Sequence, residues 1–344
     1  MKFEAATIKD IAKALGLSTS TVSRALRDSH EISEITKQRI REYANEVHYR
    51  PNPAALSLKE KRTLSIGVVV SEIANTYFSQ VINGIESIAY EKGYNVIITQ
   101  SRESLAREDM ILEYLTSRSI DGLIISVSSE TKDFPKLKQL NEKGLPIVFF
   151  DRIVDEIKTH KVIVDNVSAT KSATQHLLDN GYNKIAVIAG NANLSITKDR
   201  LAGYKEALGS NGIAVNERLI RFCDHGGLLL EEVESATRWL LNQKEKPDAF
   251  VLLADKITTA TFRILKNLHI KIPEDIGLIG FNNSAYTELM SPSLSVISQP
   301  AFEMGEKAAS LLLELIQSRR AVSDFELVSL APNIIIRESS VRKK

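Results

Sequence analysis

Cysteine is nearly absent from this chain. One residue in 344, Cys223, carries a thiol, which excludes an internal disulfide and any cysteine-based metal cluster. Its setting, Arg221-Phe222-Cys223-Asp224 at a strand end, is that of a small apolar packing residue. Histidine is scarce as well, and His30, His48, His160, His176, His225 and His269 show no zinc-ligand spacing. No apolar run approaches the roughly 18 residues needed to span a bilayer. The first residues, Met1-Lys2-Phe3-Glu4-Ala5-Ala6, hold no apolar signal region, so a cytoplasmic location without membrane contact is expected. Signatures of catalysis are missing too: no Gly-rich phosphate loop, no His-Glu-x-x-His and no Gly-x-Ser-x-Gly. Neither a metal nor a cofactor is expected, and no residue is assigned a catalytic role.

What is present describes a soluble globular chain, 43% hydrophobic and 25% charged. Its length suggests about two domains plus a small extra one. The net charge of +1 hides an asymmetry. Residues 1–62 hold 12 Lys/Arg against 8 Asp/Glu, and the remainder holds 32 against 35, from totals of 44 and 43. A basic head on a slightly acidic body suits a protein that presents one end to phosphate.

That head opens with the most informative stretch of the sequence, residues 7–26. Thr7 is placed to cap a first helix, and Asp10 adds negative charge in its first turn. Ile8, Ile11, Ala12 and Leu15 give one apolar stripe at helical spacing, and Gly16 follows where a left-handed residue ends a helix cheaply. Ser18 or Thr19 restarts the chain as a second helix with Val22, Ala25 and Leu26 turned inward and Thr19, Ser20, Thr21, Ser23 and Arg24 outward. An ordinary pair of packed helices would share the apolar spacing, but the polar outer face points to a helix-turn-helix whose second helix enters the DNA major groove. Ser33-Glu34-Ile35-Thr36 opens a third helix through about Val47, with Ile35, Ile40, Ala44 and Val47 available to close a small core. Arg24 is the expected base reader, because a guanidinium pairs bidentately with guanine O6 and N7. Thr19 and Ser20 are short and suit base edges or phosphates near the helix start. Thr7, Thr21 and Ser23 are candidates for phosphate positioning.

From Thr63 the pattern changes to short apolar runs alternating with amphipathic stretches. Leu64–Val70, Asn95–Thr99, Gly122–Val127 and Ile147–Phe150 read as strands buried on both faces, followed by a second set at Ile185–Ala189, Leu219–Phe222, Ala249–Leu253 and Ile276–Ile279. Helix-like segments between them include Tyr77–Glu91, Thr170–Asp179 and Arg200–Ser210, and four such segments end on Gly93, Gly144, Gly181 and Gly212. Repeated β-α units imply parallel sheets flanked by helices, and two sets of about four units imply two similar α/β lobes. Ligands of such sheets sit beyond the carboxyl ends of strands. Tyr77-Phe78, Asp151-Arg152, Ser195, Arg200, His225, Asp255 and Asn282 all lie after strands. Each also has an ordinary structural reading: Asp255 as a helix cap, Tyr77 and Phe78 as packing, Arg200 as a surface residue, and His225 as a partly exposed polar group.

Three sequence features carry a resemblance: Val22-Ser23-Arg24, Tyr49-x-Pro51-Asn52, and Ala55-x-x-Leu58, at their particular separations. With them the chain resembles the lactose-repressor/galactose-repressor family of bacterial transcription regulators over nearly its whole length. The resemblance implies a small all-α helix-turn-helix head (1–50), a hinge helix and linker (51–62), and a two-lobed core like that of periplasmic binding proteins. It places the first lobe in 63–163 and 298–320 and the second in 164–297 and 321–340. Crossings between lobes are implied near 162–166, 291–297 and 321–329, with the helix at Phe302–Ile316 returning to the first lobe and the last strand, Ile334–Ile336, in the second. It also implies DNA contact at Asn52 and makes Leu58 an apolar wedge in the operator minor groove. Asp151 and Arg200, the latter in Arg200-Leu201-Ala202-Gly203, match family effector contacts. Three departures stand out: Asn282 where many relatives carry Asp, Ala254-Asp255 where many carry Asn-Asp, and Leu194 where the purine-responsive branch carries Arg.

The expected protein is an α/β, ligand-responsive, sequence-specific transcription regulator, a repressor, that binds a near-palindromic DNA operator as a homodimer. Its effector is a small polyhydroxylated molecule such as a sugar, held between the lobes. A free-standing solute-binding protein would share the core but have no use for residues 1–60. A two-lobed enzyme fused to a DNA-binding head is the alternative, separable by whether a small molecule is turned over or only bound. No heptad tail for tetramer formation is present.

Overall fold

The computed structural model describes residues 6–49, 62–318, 320 and 322–342, and these divide into two units at Thr63/Leu64. The first unit is three helices: α1 (Ile8–Leu15), α2 (Thr19–Ala25) and α3 (Glu34–Glu46). Thr7 caps α1 in a capping box with Asp10, and Gly16 ends it at φ +68°. Ser18, not Thr19, caps α2, its hydroxyl accepting from the Thr21 N–H at 3.0 Å. Ile11, Ala12, Val22, Ala25, Ile40 and Ala44 form the buried core, with Leu15, Leu26 and Val47 packed around it. Ile35, expected in that core, is 83% exposed. It lies five residues before Ile40, about 140° around the helix, so the face that buries Ile40 turns Ile35 to solvent. Lys37 takes the inward position instead, its ammonium neutralised by Glu34 at 2.7 Å and Asp28 at 3.0 Å.

The second unit holds two six-stranded sheets. The first runs β11-β5-β4-β3-β1-β2, with β1 (Ser65–Val70), β2 (Asn95–Gln100), β3 (Gly122–Ile125), β4 (Ile147–Phe150), β5 (Lys161–Val164) and β11 (Leu327–Leu330), all parallel. The second runs β12-β10-β9-β8-β6-β7, with β6 (Ile185–Ala189), β7 (Ile220–Phe222), β8 (Ala249–Leu252), β9 (Gly277–Phe281) and β10 (Ser295–Ser298); β12 (Asn333–Ile335) alone is antiparallel. Central strands β3, β4, β6, β8 and β9 are buried at every position, because helices cover both faces of each sheet. On the first lobe these are α4 (Thr76–Glu91), α5 (Leu105–Ser117), α6 (Pro135–Glu142) and α11 (Ala301–Gln317). On the second they are α7 (Asn166–Asp179), α8 (Ser195–Ser210), α9 (Leu230–Leu241) and α10 (Asp255–Asn267). Gly93, Gly144, Gly181 and Gly212 all adopt positive φ at helix ends. Among the described residues, no helix is long and apolar enough to cross a membrane.

The chain passes between lobes after β5, after β10 and after β11. The second and third passages lie later than expected, because β10 still pairs with β9 and β11 pairs with β5. Residues 327–330 therefore belong to the first lobe, not the second. Both strands are only four residues long and contain serine, which leaves them without a clear apolar run. Residues 50–61, where the hinge helix is expected, lie outside the described residues.

Helices α4 and α11 cross at near-backbone contact. A Cβ on Gly84 would sit 2.0 Å from the Phe302 carbonyl oxygen, and one on Gly305 would sit 2.1 Å from that of Val81. Both obstacles are backbone, so an added methyl must separate the helices. Gly84→Ala is expected to cost about 1–3 kcal/mol of stability, read as a lower midpoint in urea unfolding with unchanged slope; an unaltered midpoint would show that the two helices tolerate separation.

Candidate functional site

The carboxyl ends of both sheets meet a cleft of about 680 Å³, counting its open mouth. Arg200, on the second turn of α8, is a buried cation of this cleft, at 4% exposure. Its Nε donates to Asn166 Oδ1 at 2.7 Å and Nη1 to the Leu253 carbonyl at 2.8 Å, while the guanidinium lies 3.7 Å from the centre of the Phe281 ring. Burial lowers its pKa to about 10, against the pull of Asp151 on the opposite lobe. It remains charged at any ordinary pH, and the Nη2 end is left for the cleft.

Asp151 follows β4 at φ +60°, a left-handed conformation unusual for a residue with a Cβ. Its Oδ1 accepts from the Tyr77 hydroxyl at 3.2 Å. Burial, with Asp151 beside it, keeps the Tyr77 phenol protonated. Phe78 packs edge-on against Tyr77 and Phe150, so the aromatic pair is both wall and core. Arg152 is committed elsewhere. Its two terminal nitrogens donate to the Glu103 carboxylate at 2.6 and 2.8 Å, and one also reaches the Val127 carbonyl at 3.1 Å. Burial alone would raise the Glu103 carboxyl, but Arg152 overrides it and holds it at about 2.

Several buried polar atoms at this site have no protein partner: Arg152 Nε, Asp255 Oδ2 and Gln299 Nε2. Such atoms are costly unless something else meets them. His225 stands at the mouth with Nδ1 2.7 Å from Glu232 Oε1, a bond that raises its pKa.

In the head, Arg24 is half exposed and reaches Glu31 at 2.6 Å. Ser20 and Thr21 share hydroxyl hydrogen bonds with Ser18 at 2.8 Å, and Ser23 accepts from Arg27 at 2.5 Å. Thr19 is exposed at the start of the same helix.

Two family models match the chain. Residues 63–334 match the periplasmic binding proteins and sugar binding domain of the LacI family, and residues 7–52 match the bacterial regulatory proteins of the lacI family. The chain belongs to the LacI family. It is 32% identical to the transcriptional repressor CytR of Escherichia coli K12, over 98% of this chain and 96% of that protein. It is also similar to the transcriptional regulator CelR in its cellobiose complex, with 27% identity, a TM-score of 0.73, and 97% of this chain and 99% of that one covered. The lac repressor dimer bound to operator and the anti-inducer ONPF shares the fold, with a TM-score of 0.83 at 24% identity over 98% and 100% of the two chains. This LacI-family protein is a transcription regulator that joins a helix-turn-helix DNA-binding head to a ligand-responsive core.

Of the expected cleft residues, the regulator brings together Tyr77, Phe78, Asp151, Arg152, Arg200, His225 and Asp255. Ser195 does not line the cleft. It stands two residues before Thr197, about 200° around α8 and so on the opposite face. Asn282 is buried behind the wall, its Oδ1 accepting from the Ser284 N–H at 2.8 Å in the turn after β9. Glu72, Glu103, Thr197, Lys256 and Gln299 line the cleft without having been expected there. Thr197 was legible at helical spacing from Arg200; Gln299 sits in a crossing segment whose place only the topology gives. Asn52 and Leu58 lie outside the described residues.

Burial pushes the Asp255 carboxyl from 3.8 up to about 6, against the Asn283 N–H and Lys256, while Glu72 adds to the rise. The folded state therefore holds this proton more tightly than the unfolded one. Its contribution to stability is complete below the unfolded value and lost as pH rises through the folded one. Asp255→Asn is expected to flatten thermal stability between those two pH values and to exceed the parent near neutral pH by on the order of 2 kcal/mol. An unchanged pH profile in the variant would show that Asp255 ionises as it does in the unfolded chain.

Proposed function

We propose that this regulator binds a near-palindromic operator as a homodimer in the cytoplasm, and that a neutral polyhydroxylated effector such as a sugar fills the cleft and is bound without being turned over. What carries the effector reading is the lining of the cleft, which mixes polar and charged groups from both lobes with an aromatic wall. Arg200 and Lys256 are donors, and Asp151, Glu72 and Asp255 are acceptors, Asp255 a donor when protonated. A ring bearing several hydroxyls supplies both roles at short spacing, which a hydrocarbon does not. Arg200 Nη2 and Asp151 set a charged donor and acceptor on opposite lobes. Tyr77 and Phe78 offer an apolar wall to a ring face. Both CelR, as a cellobiose complex, and the family's sugar-binding core point the same way.

For the head, Arg24 on α2 is the base reader, with Thr19 and Ser20 beside it and Thr7, Thr21 and Ser23 positioned for phosphate. Asn52 and Leu58 complete the DNA-contacting set by resemblance to the family. The Arg24–Glu31 ion pair is exposed and exchanges readily for guanine.

Selecting operators from random duplexes with the full chain tests both parts. A two-fold site is expected, with affinity falling steeply as salt rises. Arg24→Ala is expected to lose about 1–3 kcal/mol and relax one position in each half-site. Challenging the operator complex with neutral mono- and disaccharides is expected to find one that shifts affinity and emerges chemically unaltered. Salt-insensitive binding, or consumption of the sugar, would overturn the respective part.

A further inference from the structure

Each cation that lines the cleft has a carboxylate set against it. Lys256 Nζ lies 2.6 Å from Glu72, His225 Nδ1 lies 2.7 Å from Glu232, and the field of Asp151 on the opposite lobe acts on Arg200. Arg152 is matched most completely. The Glu103 carboxylate takes both of its terminal nitrogens, at 2.6 and 2.8 Å, with the two side chains 10% and 6% exposed. Both residues line the cleft. The planar fork that Arg152 gives to Glu103 is therefore the one an anionic ligand would otherwise take.

A pair buried this deeply is a poor stability device, because taking two charges out of water offsets much of their attraction. The backbone that presents it is costly as well. Arg102 and Glu103 hold φ of +51° and +63°, the left-handed region that residues with a Cβ avoid. This turn after β2 brings the Glu103 carboxylate to Arg152, just past β4, and to the Ser129 N–H, at 2.8 Å, beyond β3. Arg152 holds the Glu103 carboxyl at about 2, so it stays charged at any ordinary pH. Asp151 and Glu108 also act on Arg152. Asp151 lines the cleft, whereas Glu108 does not. Glu108 accepts the Ser128 N–H at 2.6 Å and the Thr131 hydroxyl at 2.9 Å, which commits it to the loop after β3.

We propose that Glu103 is a specificity-determining residue of the cleft: by occupying the Arg152 fork with a fixed negative charge, it refuses anionic ligands, sugar phosphates above all, and reserves the site for neutral polyhydroxylated molecules. The inference rests on the cleft being the effector site and adds how one class of ligand is kept out. A phosphate entering the cleft meets two obstacles. The bidentate donor that suits it is already taken, and the Glu103 and Asp151 carboxylates repel it where water is scarce. A neutral hydroxyl meets neither, because it carries no charge and both donates and accepts.

The test is calorimetric titration of the full chain, without DNA, with hexose phosphates, pentose phosphates and inorganic phosphate at constant ionic strength. The parent is expected to give no binding heat. Glu103→Gln removes only the charge, and Glu103→Ser also uncovers the fork. Each is expected to bind at least one of these anions at least about tenfold tighter than the parent's limit. Glu103→Asp keeps the charge and is expected to keep the refusal, whatever it does to stability. Adding Arg152→Gln to either charge-removing variant is expected to abolish the gain. A merely structural Glu103 would lower thermal stability in these variants without altering which ligands bind. A parent that binds a sugar phosphate, charge-removing variants that gain nothing, or a gain that survives Arg152→Gln would overturn the proposal. Finding no neutral sugar that binds would instead overturn the effector reading, and the anion gain would remain measurable.

Discussion

The core is organised around a guanidinium kept out of water. Arg200 is held by Asn166, just past the passage from β5 to α7, by the carbonyl of Leu253 at the end of β8, and by the ring of Phe281 at the end of β9. Asp151, at the end of β4 in the other lobe, supplies the compensating field. One side chain thus ties together the strand ends of one sheet, a passage between lobes and the facing sheet. Burying a charge this deeply is unfavourable unless its donors are met. Two nitrogens are met by protein, and the third faces the cleft. The fold places this incompletely satisfied cation at the cleft it lines.

The surrounding chemistry follows from the same demand. Parallel sheets covered on both faces leave polar strand ends as the place where ligand groups converge. The cations nearest Arg200 are neutralised by their own carboxylates, Arg152 by Glu103 and Lys256 by Glu72. This keeps the cleft from presenting a cluster of free positive charge. Arg200 and Asp151 then remain as the charged pair open to a ligand, on opposite lobes, so a molecule that bonds both reports the lobe arrangement. The tight α4–α11 crossing at Gly84 and Gly305 fixes these two helices of the first lobe against each other at near-backbone contact.

Much of this was legible in the residues. The strand runs, the four glycine helix ends, the head's core at Ile11, Val22 and Ile40, and the placing of Asp151 and Arg200 at strand ends all follow from local pattern or from the family resemblance. What local pattern does not encode is which lobe a short strand joins. Leu327–Leu330 pairs with β5 because of where the chain passes, and its own four residues, Leu-Val-Ser-Leu, are too short and too exposed to read as a buried strand. Rotation about a helix axis is legible only when the start of the helix is known. Reading α8 from Arg200 rather than Ser195 hid that Ser195 faces away and Thr197 faces in. Ile35 failed for a related reason, since apolar character was taken without its angle to Ile40. Glu103 escaped notice because its value lies in a bidentate partner 49 residues away.

We propose that Arg200 contacts the effector, so that its loss uncouples cleft occupancy from DNA binding. The measurement that reaches it most directly is fluorescence anisotropy of the selected operator titrated with Arg200→Ala chain, with and without the sugar that shifts the parent's affinity. The account expects parent-like operator affinity without the sugar and no change on adding it. A shift equal to the parent's would contradict it and move effector recognition away from this cleft.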